Sequence, residues 1–239
     1  MTPHPPVLRR RDCRQWIAGG WVVAALLTCI TGCSVSSPEL PNRDPHGPRN
    51  VAAYIDNLDS SSRDAYQMPD AVVQALGLHP DDVVADVGCG PGYFTRRLAR
   101  AVPAGVVYAV DVEPRQLDRL NAHLRDDGLV NVVPVLATTA DPHLPAGRLD
   151  MILVVDTYHH FDNRVQYLQT LKRGLKPTGR LVLIDYRKEP LPVGPPVAHK
   201  LAREQELSET EHAGFQLIDE PTFLPYQYFL IFTPRIVDR

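Results

Sequence analysis

Val83-Val84-Ala85-Asp86-Val87-Gly88-Cys89-Gly90-Pro91-Gly92 is the stretch on which the fold turns. Its first half is a short apolar run with Asp81-Asp82 before it and glycines after it, the pattern of a buried strand that ends in a turn. Its second half spaces glycines at 88, 90 and 92, giving D-x-G-x-G-x-G from Asp86. Gly88 and Gly90 allow the backbone to turn sharply and to come within contact distance of a ligand. A nicotinamide-binding fingerprint, G-x-G-x-x-G, needs its third glycine at 93, where Tyr93 stands. It also does not call for an acid two residues before the first glycine.

Working outward, a second apolar run, Val106 to Val110, ends at Asp111, twenty-five residues past Asp86. A carboxylate at the end of that strand can accept hydrogen bonds from both hydroxyls of an adenosine ribose. Helical segments are expected at Phe94–Val102, Pro114–Asp127, Val165–Leu175 and Leu201–Ala213. Further strands are expected at Val132–Leu136, Met151–Val155 and Leu181–Ile184. Pro134 counts against the first of these. Lys176-Pro177-Thr178-Gly179 is read as the stop of a helix. Strands alternating with helices predict a mostly parallel sheet with helices on both faces. After Ala213, Phe215–Ile218 and Tyr226–Phe232 lie close enough in the chain for a closing antiparallel hairpin. A helix at Asp70–Leu76 is expected to cap the site.

From Val51 to Pro234 the chain resembles the class I S-adenosylmethionine-dependent methyltransferases, a Rossmann-like α/β fold with a seven-stranded sheet. Val83–Tyr93 is similar to the first motif of that superfamily, and Val107–Asp111 to its second strand. Asp150 to Phe161 resembles its fourth strand and following loop, and Leu175 to Leu181 the approach to its fifth. The resemblance implies S-adenosylmethionine as cofactor. Asp86 would lie near its methionine end, with Gly88, Gly90 and Gly92 lining it and Asp111 holding the ribose. Tyr93, Val112, Thr138 and Asp156 would complete the cofactor site. Many relatives carry an acid near the adenine after the third strand; here the segment reads Ala137-Thr138-Thr139-Ala140-Asp141, and it leaves open which residue faces the adenine.

Methyl transfer is an in-line displacement, so the protein mostly aligns a nucleophile and excludes water. A base is needed only where the acceptor must lose a proton. Candidates lie beyond the carboxyl ends of strands four and five: Asp156, Tyr158, His159 and His160, then Asp185, Tyr186 and Arg187. Asp156, Tyr158 and His159 are the residues assigned to catalysis, although Tyr158 could equally pack on the cofactor. Neighbouring residues at a helix start point different ways, so His159 and His160 do not predict a metal site. Arg63 and Gln67 could line the acceptor side or stand in solvent, and Tyr226-Gln227-Tyr228 reads as sheet packing. His199 reads as a surface cap. The expected activity is transfer of a methyl group to a small-molecule acceptor. The rival is a tethered module that binds S-adenosylmethionine without catalysis.

The remaining sequence bears on class and location. The chain has 239 residues, 44% hydrophobic and 22% charged, enough for one sizeable core. Of its 25 basic and 28 acidic side chains, four (Arg9, Arg10, Arg11, Arg14) and one (Asp12) fall before Cys33, which leaves 21 against 27, a net charge of −6. Such a domain is poorly matched to nucleic acid, whose phosphates need clustered Lys and Arg. Of four cysteines only Cys89 lies beyond Cys33, which excludes a disulfide framework and a cysteine-based zinc site. Arg9–Arg14 form a basic segment, and Ile17–Ile30 an apolar one, short for a bilayer span and right for a secretory core. Ile30-Thr31-Gly32-Cys33 resembles the lipobox of bacterial lipoproteins. The resemblance implies a signal peptide over 1–32, lipidation of Cys33 and a proline-rich tether over 33–50. The domain over 51–239 would then be held at the membrane on the periplasmic side of the envelope. An uncleaved anchor or a misassigned start would instead leave a cytoplasmic enzyme.

Overall fold

A computed structural model describes residues 50–235; Cys33, the apolar leader and the tether lie outside the described residues. The described residues begin with α1 (Val51–Leu58), whose first turn is capped by Asn50 accepting from the Ala53 amide at 3.1 Å. Then come α2 (Asp64–Gln67), α3 (Pro69–Ala75), β1 (Val83–Val87), α4 (Thr95–Ala101), β2 (Val106–Asp111), α5 (Pro114–Asp127), β3 (Val132–Leu136) and β4 (Leu149–Val155). The second half contains α6 (Arg164–Gly174), β5 (Leu175–Tyr186), α7 (Arg203–His212), β6 (Phe215–Asp219) and β7 (Gln227–Pro234). Among the described residues no helix is long and apolar enough to cross a membrane.

The strands form one sheet in the order β3-β2-β1-β4-β5-β7-β6. The first five run parallel, and β7 enters antiparallel between β5 and β6. The sheet is the expected Rossmann-like one, closing hairpin included. Pro134 is tolerated because β3 is an edge strand paired only with β2, so its missing N–H interrupts no second ladder. One expectation fails. Lys176-Pro177-Thr178-Gly179 does not form a stop after the helix; α6 ends at Gly174 and these residues already belong to β5. The pairing of β5 with β4 shifts register between Leu149 and Met151, and this irregularity accommodates Pro177 and Gly179 inside a strand.

Alternation along the strands separates two buried layers. Val84, Val107, Met151, Leu153, Val182, Ile184, Phe229 and Ile231 pack with Val72 of α3, with Leu76 just after it, and with Leu98 of α4. Ala85, Ile152, Val154, Leu181, Leu183, Leu230 and Phe232 pack with Leu168 and Leu171 of α6. Continuing the same alternation, Asp185 falls on the α6/α7 face, while Tyr186 and Gln227 fall on the α3/α4 face. The chain reverses direction across the sheet between β1 and β4. The crevice beyond their carboxyl ends is where such sheets bind ligands.

Candidate active site

The glycine loop is pinned from below by β2: the Gly88 and Cys89 amides donate to the Val110 carbonyl at 2.8 and 3.0 Å. Gly88, Gly90 and Gly92 all have positive φ, at 77°, 55° and 95°. Their surroundings divide their roles. A Cβ on Gly88 would come within 2.3 Å of the Thr157 side chain, so the loop after β4 rests directly on it. A Cβ on Gly92 would come within 2.4 Å of Leu120 Cδ1, so Gly92 serves the packing of α5. Gly90 has Leu58 of α1 as its nearest neighbour, 3.5 Å from a built Cβ.

Asp111 joins the loops after β1 and β2. One carboxylate oxygen accepts from the Gly90 amide and the other from the Glu113 amide, both at 2.9 Å. Burial raises its pKa, and those amides pull against the rise. Each oxygen keeps a second lone pair, so the carboxylate is held in place and still able to accept from a ribose. Val112, next in the chain, is 51% exposed. Asp86 is buried and accepts from the Thr95 hydroxyl at 2.6 Å. Burial pushes its pKa up to about 6.

Beyond β4, Asp156 adopts φ +50°, a conformation that costs a non-glycine residue free energy. Its carboxylate accepts from the Gln67 amide and lies 3.8 Å from the Arg63 guanidinium. Burial, reinforced by the charge of Asp185, raises its pKa to about 6 against the pull of Arg63. Arg63 and Gln67 therefore reach into the site, and the reading of them as solvated surface is set aside. His159 is held twice by Asp185: its Nδ1 lies 2.8 Å from one oxygen, and its amide donates to the other at 3.1 Å. A proton on Nδ1 leaves Nε2 as the basic nitrogen. The rings of His159 and His160 lie with centroids 4.2 Å apart and their planes tilted by 38°. No group of three or more His, Cys, Asp or Glu able to hold a metal occurs among the described residues.

Three expectations are revised. Tyr158 is fully buried in the α6/α7 layer, where its hydroxyl donates to Glu209 at 2.6 Å. Arg164 clamps the same carboxylate through Nε and a second guanidinium nitrogen at 2.7 and 2.9 Å. Tyr158 is thus an anchor between α6 and α7, its hydroxyl committed to Glu209. Tyr93 donates to Asp64, and the guanidinium groups of Arg63 and Arg97 lie over its ring at 4.3 and 4.6 Å from the centroid. It holds the N-terminal segment down. The Thr138 hydroxyl accepts from the amides of Ala140 and Asp141 in an exposed turn, at 3.3 and 3.0 Å, which commits it to that turn. His199 stands exposed, as the surface reading has it.

Sequence reasoning missed Glu206, a lone polar residue with no motif around it; it read Gln227 as sheet packing and gave Thr157, inside the Asp150–Phe161 segment, no role. Glu206 is fully buried and neither carboxylate oxygen has a partner. Burial, with the charges of Asp185 and Glu209 and against that of Arg164, holds its carboxyl well above the usual range. The folded state therefore keeps a proton that the unfolded chain releases near pH ~4.5. This contribution to stability is complete below that pH and is lost as pH rises toward the folded value. We expect urea unfolding, as pH is raised above about 5, to show stability falling by at most about 1.4 kcal/mol per pH unit on this account. Glu206→Gln should flatten that fall, and an unaltered slope would remove the assignment.

Comparison with known proteins agrees with this geometry. Residues 84–179 match the family described as a methyltransferase domain. The chain is 27% identical over 143 residues to 27-O-demethylrifamycin SV methyltransferase of Amycolatopsis mediterranei, covering 59% of this chain and 52% of that protein. It is 30% identical over 118 residues to the ubiquinone/menaquinone biosynthesis C-methyltransferase UbiE of Vibrio campbellii, covering 48% and 46%. The chain thus spans about half the length of these curated relatives. A SAM-dependent methyltransferase from Aquifex aeolicus superposes with TM-score 0.73 at 28% identity, covering 76% of this chain and 97% of that one. The [4+2]-cyclase SpnF shares the fold with TM-score 0.61 at 18% identity, covering 72% and 82%. The fold is that of the S-adenosylmethionine-dependent methyltransferases.

Proposed function

We propose that this chain transfers a methyl group from S-adenosylmethionine to a small-molecule acceptor. The observation that carries the reading is Asp111, bound to the Gly90 and Glu113 amides and so placed at the mouth of the glycine loop. The residues fit the cofactor: the loop presents backbone without Cβ atoms, and Asp111 retains acceptor capacity for two hydroxyls. Asp86 and Asp156 place carboxylates where a cation would relieve their burial. Bound, the cofactor supplies a methyl already activated by its sulfonium. The protein's share is alignment and exclusion of water, with Arg63 and Gln67 of the N-terminal segment closing over Asp156. Asp185 fixes the ring of His159, which can take a proton at Nε2 from an acceptor that must lose one.

Calorimetric titration of residues 50–239 with S-adenosylmethionine, and with NAD as control, tests the reading. Binding of the first alone is expected. Asp86 and Asp156, with pKa values of about 6, are neutral at pH 5 and ionised at pH 7.5, and a cationic ligand favours the ionised form. Affinity should therefore be higher at pH 7.5. Binding of neither ligand would leave only the fold and count against both the enzyme and the non-catalytic binding module.

The segment from Met1 to Cys33 supports a lipoprotein leader, with the mature chain anchored through Cys33 to a membrane on the periplasmic side of the envelope. The basic segment, the short apolar core Ile17–Ile30 and the Ile30–Cys33 run argue for it together. Cys33→Ser is expected to abolish lipid labelling and move the protein from the membrane pellet to the soluble fraction. A variant that still sediments would rule out this anchor.

A further inference from the structure

Two buried glutamine side chains have unmet hydrogen-bonding groups on the α3/α4 face at the carboxyl edge of the sheet. Gln67 is 0% exposed and Gln227 is 2% exposed. The Gln67 amide nitrogen serves Asp156, but its carbonyl oxygen has no partner. Neither amide atom of Gln227 has one, and the second carboxylate oxygen of Asp156 is also unpaired. Buried polar groups left in this condition each cost free energy in a folded chain. Residues kept in spite of that cost are candidates for recognising something else.

These groups belong to one place. Gln67 follows Tyr66 and Gln227 follows Tyr226, and the two tyrosine rings approach with centroids 6.2 Å apart. Gln227 is the register partner of Tyr186. The hydroxyl of Tyr186 in turn feels the charge of Asp156 and the presence of Tyr66. Gln67 closes the circuit through its bond to Asp156. The chemistry of the set is specific: tyrosine rings beside it, three unpaired oxygen acceptors, and one unpaired amide donor. Flat apolar faces suit stacking against another ring. Oxygen acceptors call for O–H donors on that ring, and an amide can accept and donate at once.

We propose that Gln67 and Gln227 are the specificity-determining residues of the acceptor site, and that they recognise an aromatic ring bearing at least two hydroxyl groups. This rests on the methyltransferase reading and names its substrate class. A site built around hydrogen bonds to hydroxyls rejects analogues lacking them far more strongly than an apolar pocket does, because its own buried groups are then left unpaired.

Saturation-transfer NMR tests the proposal with catechol and hydroquinone as probes and toluene as control, in the presence of S-adenosylhomocysteine. The wild-type chain should show transfer to at least one of the two diols and none to toluene. Gln227→Leu should weaken that diol's binding ten-fold or more. The same change removes an unsatisfied buried amide, so Tm should rise by roughly 2–4 °C. Gln227→Met provides a second unbranched replacement should Leu pack badly. Lack of transfer to both diols, equal transfer with both variants, or a fall in Tm for both would overturn the assignment. Binding of S-adenosylhomocysteine by the wild-type chain is read separately by calorimetry. Its loss would count against the methyltransferase reading, whereas its presence without diol binding would count against the glutamines alone.

Discussion

Gly88→Ala is expected to destabilise the fold by about 2–5 kcal/mol and to abolish measurable binding of S-adenosylmethionine. Two costs combine. At φ +77° any side chain is strained, which contributes about 1–2 kcal/mol. The new methyl would also sit 2.3 Å from Thr157 Cγ2 and Oγ1 and 2.7 Å from its Cβ. Thr157 has no long arm to swing aside. It is β-branched, and its hydroxyl donates to the Val155 carbonyl at 2.9 Å. Relief must come from the backbone of one of two loops, and both border the crevice. Thermal unfolding should show Tm lowered by roughly 5–15 °C for a domain of this size. The partner variant Gly88→Ala/Thr157→Gly separates the two costs. Removing the Thr157 side chain should recover the clash of about 1–3 kcal/mol and leave the backbone strain. A Gly88→Ala protein with the Tm of wild type would mean that the loop after β4 does not rest on the glycine loop.

The second large effect is on Asp111. Asp111→Ala should weaken S-adenosylmethionine binding about 10- to 100-fold, or about 1–3 kcal/mol, through loss of hydrogen bonds to a charged acceptor. The structure adds a consequence for the chain without ligand. The Gly90 and Glu113 amides lose their acceptors together, so stability should also fall, by about 1–3 kcal/mol. Asp111→Asn keeps one acceptor oxygen and turns an N–H toward the other amide, so it should fall between alanine and wild type in both measurements. Affinity unchanged in Asp111→Ala by calorimetry would dismiss the ribose role, whatever the stability does. Stability unchanged with affinity lost would mean that the amides find other partners.

Much of the fold was legible in sequence, and the reasons are local. Helix α5 was readable to its ends because Pro114 opens it and Gly128 closes it in a left-handed conformation. Strand β5 was not. Leu175–Gly179 contains a proline and a glycine, which locally oppose a strand, and only pairing with an irregular β4 allows them one. Tyr158 was misread for a related reason. Its position after the fourth strand agrees with a site residue, but its direction is set by Glu209 and Arg164, 51 and six residues further along the chain.

The amino-acid sequence by itself determined the alternation of strand and helix, the turn at Gly88–Gly92 and the distance from Asp86 to Asp111. Each is a property of a short stretch of chain, set by hydrophobic period, glycine conformation and the length of one strand-helix-strand unit. Tertiary structure alone decided which polar side chains meet. Gln67 reaches Asp156 across 89 positions and His159 meets Asp185 across 26. Gln227 and Glu206 are buried without partners because the sheet and helices close around them. Such encounters depend on where distant segments pack and which way each side chain turns, and no local pattern carries that information.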